Sequence, residues 1–133
     1  MSNPSKAIGT RAETKVARFL TQRGLRTERR ALAGSDDEGD LRMLLPGGEE
    51  VTLEVKAGRQ TKDPSRSKLE DWKRQALVES ENSGCRCALV IVRYNKAFAN
   101  AEVWLPNSQW GGRMRGWTMQ YIDDFADEMW SMS

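Results

Sequence analysis

The sequence predicts an α/β fold: a central mixed β-sheet flanked by helices. The segments read in the order α-β-β-β-α-β-β-α, and two neighbouring segments alternate with strand period around a Gly-rich turn. A later apolar run is continuous instead of alternating, as in a strand covered on both faces. At 133 residues the chain is sized for one domain, spanning 1–133, and can bury a core without staples.

A first helix is expected from about Ser5 to Arg23, with Ile8, Ala12, Val16, Phe19 and Leu20 on one stripe and Gly24 as its C-terminal stop. "LRTERRAL" reads as a short strand and "AGSDDEG" as a loop. Strands over about Asp40 to Leu45 and Glu50 to Ala57, joined by "PGGE", form a hairpin. After the polar loop "RQTKDPSRS", Ser67 and Glu70 form a capping box for a second helix reaching about Asn82, with Leu69, Trp72, Ala76 and Leu77 inward. "CRCALVIVRY" is the doubly covered strand, "AEVWLP" another strand, and "IDDFADEMW" a C-terminal helix. No repeat, low-complexity tract or linker interrupts this order.

Composition narrows the chemistry. The chain has no histidine, which removes His-based acid/base catalysis, Ser-His and Cys-His nucleophile pairs and the usual zinc sites. Carboxylates, lysine or a metal remain. Cys85 and Cys87 would share one strand face, poorly placed to bridge each other, and read as buried reduced thiols. The start is polar and the longest apolar run, "ALVIV", is too short to span a membrane, so a soluble, cytoplasmic protein is expected.

Net charge is only +2, but it is unevenly spread. Residues 1–30 carry eight Lys/Arg against two acids, residues 31–55 one against seven, and residues 56–75 seven against three. Basic segments suit a polyanion such as nucleic acid, whereas clustered acids repel phosphate unless a cation intervenes. Metal-dependent phosphodiester chemistry needs that combination.

The hairpin supplies a place for it. Burying Leu41, Met43 and Leu45 with Val51, Leu53 and Val55 allows two pairings: Asp40 opposite Glu54, or Asp40 opposite Lys56 with Arg42 opposite Glu54. Either way Asp40, Glu54 and Lys56 share one patch. Opposed side chains lie about 5 Å apart at Cβ, so Asp40 and Glu54 suit one hard divalent ion such as Mg²⁺, with Mn²⁺ the alternative. Lys56 would orient the nucleophile or offset developing charge.

Asp40 followed by Glu54-Val55-Lys56 resembles the PD-(D/E)xK nuclease signature, in which an Asp begins one strand and a D/E-x-K sits on the next. "GTRAE" on the first helix is similar to the opening of the Holliday-junction resolvases of archaea and some phages, and the resemblance covers roughly residues 6–93. It implies a restriction-endonuclease-like core, a Mg²⁺-dependent endonuclease acting on four-way DNA junctions, a symmetric homodimer, and Glu13 as a further metal-site carboxylate. The chain departs from the family at Gly39, where Pro is common, and Ser35 loosely matches a serine of the preceding loop. Gln75 and Lys73 match helix positions that present a polar residue to the site.

Competing readings stand beside these. Thr10 to Glu13 is itself a capping box, and Asp36, Asp37 and Glu38 read as a solvated loop. "WGGRMRGW", Trp110 to Trp117, either grips DNA or anchors a loop to the core. Arg11, Lys15, Arg18, Arg59, Lys62, Arg66 and Lys68 are the candidates for phosphate contacts. Another nuclease of the same superfamily, or a non-catalytic DNA-binding module, remains as an alternative function.

Overall fold

The six strands lie side by side in chain order, β1 (Thr27–Arg29), β2 (Leu41–Leu44), β3 (Glu50–Lys56), β4 (Arg86–Ile91), β5 (Glu102–Pro106) and β6 (Trp117–Tyr121). This computed structural model describes residues 4–30 and 40–132. Only β3 and β4 run parallel, and a parallel pair needs a crossover; α2 (Arg66–Ser83) provides it. The other neighbours are antiparallel, so the sheet is mixed as expected.

The β2–β3 turn chooses between the two pairings left open by the sequence. Leu45 N–H donates to Glu49 O at 2.9 Å and Gly48 N–H to Leu45 O at 2.8 Å, with Gly48 at φ 97°, a conformation that favours glycine. This tight closure places Leu41 opposite Leu53 and Met43 opposite Val51, which brings Asp40 opposite Glu54. Arg42 faces Thr52, so the alternative with Arg42 opposite Glu54 is not adopted.

Each sheet face carries its own core. Helices α1 (Pro4–Gln22) and α4 (Ile122–Ser131) cover one face, where Val16, Leu20, Leu41, Met43, Leu53, Val90, Val103, Phe125 and Met129 are sealed from solvent. On the other, α2 lays Trp72 and Ala76 over Cys87, Leu89 and Ile91. Strand β4 is therefore buried on both faces, which is why its apolar run is unbroken. The same cover extends over β3, so Thr52 and Glu54 are buried and its polar face is not open to water.

The structure corrects several details. The α2 N-cap is Ser65, whose hydroxyl accepts from Lys68 N–H at 3.1 Å; Ser67 lies inside the helix and the Ser67–Glu70 box does not form. Ile8 and Leu77, expected inward, are 41% and 39% exposed, since each sits at the rim of its apolar stripe. Short helix α3 (Asn107–Trp110) and strand β6 were not expected; β6 is an edge strand with mostly exposed or half-buried residues and little hydrophobic period. Both tryptophans of the Trp110–Trp117 segment act as anchors. Trp110 Nε1 donates to Cys87 O at 2.9 Å, and Trp117 packs on the α2 core, leaving Arg113 to Gly116 exposed between them.

The cap assignment has a direct test. Ser65→Ala is expected to cost about 1 kcal/mol in urea unfolding, whereas Ser67→Ala should change stability by only a few tenths.

Candidate active site

At the open end of the hairpin, Asp40 stands one residue before β2. Its N–H donates to Leu53 O at 3.0 Å, and its Oδ2 accepts from Val55 N–H at 2.9 Å, so the carboxylate takes over a backbone carbonyl's place where the two strands part. Two backbone contacts thus fix it. Glu54 faces it from β3, only 3% exposed, and no donor of the described residues reaches Glu54 Oε2.

Two residues further on, Lys56 Nζ lies 3.5 Å from Glu54 Oε1 and donates to Gln75 Oε1 at 2.9 Å. Gln75 belongs to α2, and so does Glu79, one turn later and fully buried against Glu54. Three carboxyl groups and one ammonium group therefore converge beneath the helix.

Electrostatics follow from that crowding. Burial raises the Glu54 carboxyl far above the usual carboxylate range, and the neighbouring Glu79 and Asp40 carboxyl groups push it the same way. Burial and the two neighbouring acids thus favour the protonated form of Glu54. Glu13 is also raised, first by burial and then by the charge of Asp40, with Arg29 Nε, 3.1 Å from Glu13 Oε2, pulling it back. Glu13 is no helix cap: α1 begins at Pro4, and Thr10 lies within the helix with its carbonyl accepting from Thr14 Oγ1.

Of the expected site residues, Asp40, Glu54 and Lys56 come together, and Glu13 approaches Asp40 from α1. Gln75 turns to the site; Lys73 does not, pairing instead with Glu70 at 3.2 Å and lying over the Trp104 ring. Arg11, Lys15, Arg18, Arg59, Lys62, Arg66 and Lys68 are all exposed. Ser35, Asp36, Asp37 and Glu38 lie outside the described residues. Cys85 and Cys87 are free, and burial pushes the Cys87 thiol up to about 11, so at neutral pH it is a protonated core group.

Glu79 was missed. Its signal was present: it falls on the same helical stripe as Trp72 and Ala76, and an acid on an apolar stripe asks for a partner.

The residues suit a hard divalent cation in one respect and limit it in another. Asp40 opposite Glu54, with Glu54 Oε2 lacking any donor, is an oxygen set that a cation would satisfy. Among the described residues, no group of three or more His, Cys, Asp or Glu side chains could hold a metal ion by itself.

No family model and no curated protein matches the sequence. Among solved structures, the chain is similar to Hjc, a Holliday junction resolvase of the archaeal hyperthermophile Archaeoglobus fulgidus, with a TM-score of 0.51 over 93% of each chain. The two chains share a fold. At 17% identity the likeness to Hjc lies in architecture, and it extends well past residue 93, where the sequence resemblance ends. The mixed six-stranded sheet with flanking helices is thus an Hjc-like fold.

Linkage gives a test of the buried acid. The folded state holds the Glu54 proton above the ordinary value of 4.5, where the unfolded chain releases it, so the wild type loses stability as pH rises through and beyond that value. Glu54→Gln lacks this penalty: in EDTA it should melt higher than wild type at pH 8, with the gap closing towards pH 4 in thermal scans.

Proposed function

We propose that the chain is a divalent-cation-dependent, structure-specific DNA endonuclease that hydrolyses phosphodiester bonds in four-way junctions, a Holliday-junction resolvase of the PD-(D/E)xK type. The observation that carries this reading is Asp40 set opposite Glu54 with Lys56 next along the strand. The Hjc-like fold and the exposed basic residues of α1 and of the segment after β3 support it.

In this reading Asp40 and Glu54 hold Mg²⁺ or Mn²⁺, with Glu13 assisting through its proximity to Asp40. When bound, the ion would lower the pKa of a coordinated water and offset charge on the scissile phosphate. Asp40 is pre-positioned by Val55 N–H, so it pays little entropy on engaging a ligand. Lys56, steered by Gln75, orients the attacking water and balances charge as the phosphorus–oxygen bond breaks. Arg11, Lys15, Arg18, Arg59, Lys62, Arg66 and Lys68 contact backbone phosphates. A four-way junction has two-fold symmetry, so paired cuts call for two equivalent sites in a C2 homodimer.

The deciding assay is cleavage of a labelled four-way junction and a matched duplex in Mg²⁺ or EDTA. Wild type should cut the junction symmetrically in Mg²⁺ alone, and Glu54→Ala and Asp40→Asn should lose cutting while Asp40→Asn retains DNA binding. Cutting of linear duplex or ends in preference to the junction would transfer the reading to a repair, restriction or end-processing nuclease. No cutting in Mg²⁺ would leave a binding module. Gln75→Ala, which frees Lys56, should slow cutting by about 10- to 100-fold.

A further inference from the structure

The chain leaves the site through Ala57 and Gly58, and there it forms the wall of a cavity of about 500 Å³ lined by Ile8, Ala57, Gly58, Arg59, Gln60 and Tyr94. This volume is within the roughly 300–1,000 Å³ of small-molecule sites. We infer that the cavity receives an unstacked nucleobase from the DNA strand beside the scissile phosphate, an inference that rests on the nuclease reading above.

Position supports this occupant. Gly58 follows Lys56 by two residues, at most about 7 Å of extended chain. Ile8 precedes Glu13 on α1 by five residues, about 7.5 Å along the helix axis. The cavity therefore borders the site along two of the elements that build it, α1 and the end of β3, one short step apart.

The lining has the chemistry of a base site. Tyr94 is half-buried and offers a ring, and the Arg59 guanidinium carbon lies 5.8 Å from its centroid, giving a cationic and an aromatic surface for stacking. Ile8, 41% exposed, adds an apolar wall, and the Gln60 amide is held at the rim by donating to Ala57 O at 3.0 Å. Gly58 keeps the wall thin. It sits at φ 83°, a conformation that strains any residue with a side chain, and an added Cβ would stand 3.4 Å from Ile8 Cγ2, inside the opening. Stacking on such surfaces tolerates any base, so the cavity would read whether a base is free to leave its stack. Bases inside a continuous duplex are stacked on both sides, while those at a branch point are cheaper to extrude. The cavity thereby favours branched over linear DNA.

The test is a binding cycle on the full-length protein. The cut is first mapped on a four-way junction with wild type and Mg²⁺; affinities are then measured in EDTA for the intact junction and for junctions made abasic at either nucleotide flanking the cut. At one of the two positions the abasic junction should bind wild type about tenfold more weakly, and Tyr94→Ala should lose about as much on intact DNA. Combined, the two changes should cost no more than one alone, and Tyr94→Phe should restore the loss. Ile8→Trp, at an exposed helical position, fills the cavity and should reproduce the cycle without burdening the fold. If wild type cuts junctions but the losses multiply independently in both cycles, the cavity assignment is overturned and the nuclease reading stands. If wild type cuts no DNA in Mg²⁺, both fall.

Discussion

Glu54 is the point on which the rest of the structure turns. A carboxyl group 3% exposed, opposite Asp40 and beneath Glu79, is held against its own electrostatics. It stays there because the hairpin turn fixes the register, the parallel β3–β4 pair anchors the strand on its other side, and α2 closes over it. Any one-residue slip of β2 against β3 would exchange the Glu54 face with the Leu53 face and dissolve both site and core.

That arrangement places stability and chemistry in opposition. The core on the α1–α4 face is dominated by apolar side chains, while the α2 face mixes Trp72, Leu89 and Ile91 with Glu54, Gln75 and Glu79. The first core buries the larger set of apolar side chains, and the second holds buried acids at its margin, where Lys56 donates to Gln75. Asp40 adds no comparable burden, since Val55 N–H replaces the water its carboxylate gives up.

The seven basic residues take no part in the buried acidic cluster. They are exposed on α1, after β3 and at the start of α2, whereas Glu54 and Glu79 are buried. The two charge signs noted along the chain thus separate by depth: Glu54 and Glu79 are buried, while the basic residues of the flanking segments are exposed.

The sequence by itself determined the strand alternation, the doubly buried β4, the helices in outline and the grouping of Asp40, Glu54 and Lys56, because these depend on local periodicity and on a hairpin closed by a short turn. It also marked Glu79, as an acid on an apolar stripe, though that mark has meaning only once α2 is known to cross β3. Tertiary structure decided the rest. It chose Asp40 opposite Glu54 over the alternative pairing, gave the cap to Ser65, turned Gln75 inward and Lys73 away, freed Glu13 from a capping role and added β6 at the edge. Each of these depends on which face a helix presents to a strand distant in sequence, and such contacts leave no period in the chain that makes them.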